Sequence, residues 1–470
     1  MGLIVDNFAG GGGASTGIEL AIGRSVDIAI NHDPAAIAMH RVNHPTSKHY
    51  CENVWEVDPV EASGGQSVDL AWFSPDCKHF SKAKGSKPVD KEVRGLAWVA
   101  VKWAKMVKPK VIMLENVEEF KTWGPLLIDN TPDPKRKGET FNQFINTLKK
   151  FGYKVDFREL RASDYGAPTS RKRFFMIARS DGKPIKWPEP THGNPDTLES
   201  RCGLLKPWRT AAEIIDWSIP CPSIFGRKKP LAENTLKRIA RGLQKFVIEN
   251  PHPFLIQTGY GERKGQLPRV PDINKPLGTI VSTGKHALVT PFLTQYHSYS
   301  DNVRGQSLEK PIMTIDSSNR YGLVSAFISK YYGGYYEGAG SSLKEPLGTI
   351  TTKERHALVT AFLLKYYGNE AGQSLAKPLH TITTKDRFSL ITVQGEQYSI
   401  ADIGMRMLQP RELFNAQGFP PDYIIDHDYT GKAYPKTAQV ARCGNAVPPP
   451  FAEALVRANL PEICVQKVAM

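Results

Sequence analysis

Up to about residue 180 the chain alternates short apolar runs with segments of helical period. Leu3 to Asp6 reads as a first strand, and Val26, Ile28 and Ile30 alternate as a second. Leu70 to Phe73 and Val111 to Leu114 are further buried runs. Between them Leu96, Val99, Ala100, Trp103 and Val107 share one helical face, and Phe174 to Ala178 makes another apolar strand. Strands alternating with helices predict an α/β fold with a mostly parallel sheet, and each strand ends in polar or glycine-rich residues. Ligands of open α/β sheets bind beyond those carboxyl ends.

The texture changes after residue 180. A segment rich in proline and tryptophan leads to a basic, helical stretch from Leu231 to Phe246. Four related Pro-x-x-Thr-Ile units follow, opened by Pro276, Pro311, Pro346 and Pro378 and thus 35, 35 and 32 residues apart. In each, a Thr-Ile strand runs into a polar turn and then a second strand such as Ala357 to Thr360, which predicts a hairpin repeated with linkers over about 270–393. The turns carry Lys285, Arg320, Lys353 and Arg355, and Lys385 and Arg387. A charged turn is ordinarily just solvated, but four in register predict a basic rim suited to nucleic acid. A last amphipathic helix, Phe451 to Ala458, needs another element to cover it. The expected organisation is an α/β domain at 1–180, a β-rich region at 181–400, and a segment at 401–470 that returns to the first domain.

Charge sharpens this picture. Lysine and arginine number 61 against 47 acidic residues, a net charge of +14, which favours a polyanionic partner. The six cysteines contain no Cys-x-x-Cys pair and read as reduced thiols rather than a zinc site. The opening residues lack the pattern of a signal peptide and no stretch approaches eighteen apolar residues, so a cytoplasmic protein with no membrane contact is expected, with monomer as the default.

Candidate chemistry clusters at the strand ends. The run Phe8-Ala9-Gly10-Gly11-Gly12-Gly13-Ala14-Ser15 follows the first strand and opens a helix, where a nucleotide-like cofactor can approach backbone closely. It does not satisfy G-x-G-x-x-G, so a dinucleotide fingerprint is disfavoured, and a plain tight turn is an equally good reading. Cys77 follows Ser74-Pro75-Asp76 at another strand end. A lone cysteine is more often filler, yet Lys78, His79, Lys82 and Lys84 would favour its thiolate if they approach it. Glu115-Asn116-Val117 ends the next strand, and Arg171-Lys172-Arg173 precedes the one after, able to orient a carboxylate or a phosphate.

Taken together these segments resemble the cytosine-C5 DNA methyltransferase family. Asp6-Asn7-Phe8-Ala9-Gly10-Gly11-Gly12-Gly13 resembles its opening cofactor motif, Cys77-x-x-Phe80-Ser81 its nucleophile motif, and Glu115-Asn116-Val117 its E-N-V motif. Arg94-Gly95 and Arg171-x-Arg173 fit its R-G and R-x-R elements. Gln409-Pro410-Arg411-Glu412 with Gln417-Gly418-Phe419-Pro420, then Gln439 with Gly444-Asn445-Ala446-Val447, are similar to its last two motifs. The order is the family's own, over residues 1–180 and 405–460, and the family's variable target-recognition domain falls between. Departures are Asp76 directly before Cys77, Lys78 for the usual glutamine, Asn31 for the acid that holds the cofactor ribose, and Asn53 for an aspartate near the adenine.

The resemblance implies a Rossmann-like S-adenosylmethionine-dependent fold and a β-rich recognition domain. It implies Cys77, Glu115, Arg171 and Arg173 as catalytic, and Asp6, Phe8, Gly10, Gly12, Gly13, Asn31, Asn53, Asn445 and Ala446 as cofactor-binding. Ser81, Lys82, Lys353, Arg355, Lys385 and Arg387 are expected to contact double-stranded DNA, and a cognate restriction endonuclease is a partner the resemblance allows. Rival readings are an amino methyltransferase, since Ser74-Pro75-Asp76-Cys77 is similar to S-P-P-[YFW] but lacks its aromatic platform; an RNA cytosine-C5 methyltransferase; and a DNA-binding protein without turnover.

Overall fold

The computed structural model describes residues 1–76, 95–216 and 396–466, together with residues 218–219, 224 and 228–230 and the backbone of short strands between 255 and 393. The chain divides into two compact units. One comprises Met1–Ala167, Arg171–Thr191 and Gln417–Met470; the other comprises Pro168–Ser170 and His192–Ala416.

The first unit is built on a seven-stranded sheet of β1 (Leu3–Asn7), β2 (Ile28–Ile30), β3 (Lys48–Tyr50), β4 (Val68–Phe73), β5 (Val111–Asn116), β6 (Lys154–Arg161) and β7 (Lys172–Arg179), in the order β3-β2-β1-β4-β5-β7-β6. Neighbours from β3 to β5 are parallel, while β7 is antiparallel to both β5 and β6. This is the mostly parallel, Rossmann-like sheet that the strand pattern predicts. Two strands escape the apolar pattern. β3 and β6 are the sheet edges, and exposed positions such as Lys154, Asp156 and Arg158 leave β6 without a continuous apolar run.

Alternation of side chains sends each strand's apolar residues to two cores. Val5, Ile28, Phe73, Leu114 and Phe174 face α4 (Val99–Met106) and α5 (Glu139–Lys150), which bury Trp103, Phe141, Phe144 and Leu148. The expected helix from Leu96 begins as a 3₁₀ turn and becomes α-helical only at Val99. Ile4, Leu70, Trp72, Met113 and Phe175 face the opposite way, against α1 (Gly13–Ile22) and the final helix. Between these helices in sequence lie α2 (Pro34–Asn43) and α3 (Pro59–Ser63), each started by an aspartate cap, Asp33 and Asp58.

In the second unit β8 (His192–Gly193) pairs with β9 (Lys206–Pro207). A nine-stranded sheet follows: β10 (Leu255–Ile256), β11 (Ala287–Leu288), β12 (Phe292–Gln295), β13 (Arg304–Gln306), β14 (Tyr321–Lys330), β15 (Gly340–Ser341), β16 (His356–Lys365), β17 (Leu390–Val393) and β18 (Glu396–Met407). The Thr-Ile strands of the repeats, the basic turns and the Leu231 to Phe246 stretch lie outside the described residues. Each repeat's second strand does not. β12, β14 and β16, from three consecutive repeats, run side by side and antiparallel, so successive copies add strands to one sheet. Within this unit Arg406 donates to both oxygens of buried Glu412 at 2.9 and 2.8 Å and to the Asp216 carbonyl at 2.8 Å, fixing the start of α6 (Pro410–Gln417).

The chain then returns to the first unit through α7 (Lys436–Asn445) and α8 (Pro449–Asn459), the latter lying across α1. Their contact is as close as backbone permits: a Cβ on Gly17 would stand 2.1 Å from the Pro449 carbonyl oxygen. Gly17→Ala should therefore lower stability by about 1–3 kcal/mol in thermal or denaturant unfolding. Gly95→Ala, where a Cβ would meet nothing within 4 Å, should be near neutral; equal losses would refute close packing as the cause.

Candidate active site at the carboxyl edge of the sheet

Strand ends place the chemistry on one edge. β5 delivers Glu115 and Asn116 there, and because β7 is antiparallel its first residues arrive at the same edge, with Glu115 opposite Phe175 and Asn116 opposite Phe174. Arg173 Nε lies 3.2 Å from Glu115 Oε1, both side chains almost fully buried. Burial pushes the Glu115 carboxyl above its ordinary range, against the opposing pull of Arg173 and Arg171. Arg173 also donates to the Lys172 carbonyl at 2.8 Å. Arg171 is buried and donates to the Gly444 carbonyl at 3.1 Å, so the two arginines divide: one faces Glu115, the other ties in the last motif.

Cys77 lies outside the described residues, as do Ser81 and Lys82, but the segment that leads to it is fixed. Ser74 N donates to the Asn7 carbonyl at 3.2 Å, Ser74 Oγ accepts from Trp72 Nε1 at 2.8 Å, and Asn116 Nδ2 donates to the Pro75 carbonyl at 3.1 Å. Residues 74 and 75 are thus held between the ends of β1 and β5, two positions before the cysteine. Asn116, singled out by sequence only as part of a motif, acts here as the clamp. Among the described cysteines Cys443 is buried, and burial pushes its thiol up, away from a reactive thiolate. Lys353, Arg355, Lys385 and Arg387 lie outside the described residues.

The glycine-rich turn stands between β1 and α1. Phe8 adopts φ 66°, Gly10 φ 50° and Gly12 φ 78°, left-handed values that force the chain back sharply. The glycines then differ in what they face. A Cβ on Gly12 would collide with the Tyr423 hydroxyl at 2.2 Å and one on Gly13 with the Val447 carbonyl at 2.1 Å. Those two are glycine because the chain's own C-terminal segment leans on them. Gly10 would meet nothing nearer than the Phe8 carbonyl at 3.6 Å, so it is the position that leaves room for a ligand.

Below the turn, Asp6 and Asn7 are fully buried, and Asp6 Oδ1 and Asn7 Oδ1 have no hydrogen-bond partner among the described residues. Buried polar atoms need partners, and this pair beside open Gly10 fits a polar cofactor such as S-adenosylmethionine. The other expected cofactor contacts are used within the fold. Asn31 Oδ1 accepts from Asp33 N at 2.9 Å, Asp33 pairs with Arg442 at 2.6 Å, and exposed Asn53 Oδ1 accepts from Trp55 N at 3.1 Å. Ala446 is buried and Asn445 exposed at the end of α7.

Burial pushes the Asp6 carboxyl up to about 7, outweighing the hydrogen bond from Ser15. A carboxyl whose folded pKa is raised favours the folded state below its unfolded pKa and loses that contribution as pH rises through the folded value. Asp6→Asn should therefore raise the unfolding midpoint by several degrees at about pH 8 and leave it little changed near pH 4. A pH-independent difference in a thermal scan would contradict a buried, titrating Asp6.

A family model for C-5 cytosine-specific DNA methylases matches residues 3–206 and 269–460. Among curated proteins the chain is 30% identical over 195 residues to Type II methyltransferase M.XorII of Xanthomonas oryzae pv. oryzae, covering 40% of this chain and 43% of that protein. It is 34% identical over 194 residues to Type II methyltransferase M.NgoMIV of Neisseria gonorrhoeae, covering 40% and 56%. The match thus spans about half the length of these relatives. Among solved structures, Entamoeba histolytica methyltransferase EhMeth aligns over 98% of both chains with a TM-score of 0.46 and 13% identity. The motif order, the sheet that carries it and the family match over most of the sequence agree: the chain belongs to the C-5 cytosine-specific DNA methylase family.

Proposed function

We propose that the protein is a DNA cytosine-C5 methyltransferase acting on a specific duplex sequence, with Cys77 as nucleophile and S-adenosylmethionine as donor. The observation that carries this reading is the buried Glu115–Arg173 pair, whose neighbour Asn116 clamps the segment ending just before Cys77.

The ring of cytosine is a poor carbon nucleophile until its aromaticity is broken. Addition of the Cys77 thiolate at C6 forms a carbon–sulfur bond and moves an electron pair toward C5. Glu115, held up in pKa by burial, hydrogen-bonds N3 and stabilises the electron-rich ring, while Arg173 keeps that carboxyl in position. When bound, the donor supplies an electrophilic methyl group on a sulfonium, with Asp6 and Gly10 the residues best placed to hold it. Loss of the C5 proton to water and elimination of Cys77 restore the aromatic ring. A stacked base hides C6, so the target must leave the duplex, and residues 78–93 are the segment proposed to close over it.

Ser81, Lys82 and the basic turns with Lys353, Arg355, Lys385 and Arg387 are the proposed DNA contacts, and the repeat-built sheet the proposed recognition domain. No described helix is long and apolar enough to cross a membrane.

Labelled S-adenosylmethionine with duplex DNA and with RNA tests the reading directly. Label in DNA, mapped to C5 by bisulfite sequencing, is expected; label only in RNA, or none, would overturn it. Cys77→Ser should abolish transfer while leaving DNA binding largely intact, and Glu115→Gln should slow transfer about 10²–10⁴-fold. Neutralising Lys353, Arg355, Lys385 and Arg387 together should weaken DNA binding and flatten its salt dependence; unchanged affinity in a filter-binding titration would place the DNA surface elsewhere.

A further inference from the structure

Behind the glycine-rich turn runs a line of polar groups of which the reaction above uses only the first, Asp6. Ser15 Oγ, in the first turn of α1, lies 2.7 Å from Asp6 Oδ2. His40 Nε2, on α2, lies 2.9 Å from Ser15 Oγ, and His40 Nδ1 lies 2.9 Å from His49 Nε2 on β3. Asp6, Ser15 and His40 are fully buried, whereas His49 is half-buried and has the Ser47 backbone as a further partner. The chain of contacts therefore runs from an interior carboxyl to the edge of the sheet.

Hydrogen-bond direction makes the four groups act together, because a hydroxyl and a neutral imidazole each have one proton to give. In one arrangement protonated Asp6 donates to Ser15, Ser15 to His40 Nε2, and His40 Nδ1–H to His49 Nε2. In the other every bond is reversed: His49 donates to His40, His40 Nε2–H to Ser15, and Ser15 to an ionised Asp6. Passing from the first to the second moves each proton one bond along, leaves a carboxylate at Asp6 and delivers one proton to His49, which releases it to water.

Surrounding groups favour a neutral interior at the low end of the pH range. Glu19 on α1 is engaged by His44 at 2.7 Å, the His44 ring lies tilted 4.5 Å from that of His40, and Tyr423 approaches from the C-terminal segment with its hydroxyl bonded to the Gly11 carbonyl. The Asp6 strand neighbours, Ala29 and Trp72, bring no charge. Burial, with the charge of Arg41 adding to it, drives the His49 pKa down to about 4, so a proton reaching His49 is handed on rather than kept. Lys48, next along β3, is directed at Tyr50 instead.

We propose that Asp6, Ser15, His40 and His49 form a proton path that sets the charge behind the cofactor turn, its ionised arrangement favouring a cationic methyl donor and its neutral arrangement the uncharged product. This rests on the S-adenosylmethionine reading. The donor carries a sulfonium charge that transfer removes, so a carboxylate that helps hold the donor becomes a buried, unbalanced charge once the product is left. Uptake of a proton along the path neutralises it; release of that proton accompanies the next donor.

Isothermal titration calorimetry of the whole chain with S-adenosylmethionine and with S-adenosylhomocysteine, between about pH 6 and pH 8 in buffers of different ionisation heat, tests this. Donor binding should release up to about one proton and weaken by up to about tenfold per pH unit below the midpoint, while product binding releases none. Asp6→Asn should make the donor-to-product affinity ratio independent of pH. His40→Phe, which removes the donor behind Ser15, should move the midpoint upward. Equal proton release for both ligands, or a pH-dependent ratio that survives Asp6→Asn, would overturn the path. Failure of either ligand to bind at any pH would overturn the cofactor reading itself.

Discussion

Everything at the cofactor turn depends on how closely the C-terminal segment presses against its glycines. Gly12, Gly13 and Gly17 have no room for a methyl group, because Tyr423, Val447 and Pro449 fill the space where one would stand. That contact does three jobs at once. It fixes the left-handed turn after β1, it sets α8 across α1 to seal one face of the sheet, and it brings the Gly444 carbonyl to Arg171. The turn is held from behind, and Gly10, the open position beside buried Asp6 and Asn7, is left as the place proposed for the cofactor.

The reaction edge is built on a different principle, strand direction. Parallel β1, β4 and β5 all end on one side, and the antiparallel β7 begins there, so a carboxylate from the end of one strand and a guanidinium from the start of its neighbour meet without any loop having to place them. Positions on strands are more precise than positions on loops. Glu115 and Arg173 need that precision, since both are desolvated and neither would persist alone.

Much of this was legible in the sequence because it is local. The interior strands announce themselves as unbroken apolar runs, and the glycine run, the E-N-V triplet and the arginine pair all sit at strand ends where pattern reading puts them. What escaped is what depends on the tertiary fold. β3 is only three residues long, and β6 alternates from Lys154 to Arg158 but is a largely exposed edge strand, so neither shows the apolar run that marks the interior strands. Glycines 10 to 13 look alike along the chain, yet only the folded contacts separate the one that opens to solvent from those that abut Tyr423 and Val447. Ser15, His40 and His49 are 25 and 9 residues apart in sequence and belong to α1, α2 and β3, so their line exists only once the three elements are packed.

The first unit is assembled from segments that lie before and after the main stretch of the second unit. During synthesis the glycine turn is made before the second unit, and its backing, Val447 and Pro449, after it. Until the ribosome has passed α8, the turn lacks the wall that shapes it and one face of the sheet is covered only in part, by α1, so completion of that half is a late event and the intervening sheet has time to form before it.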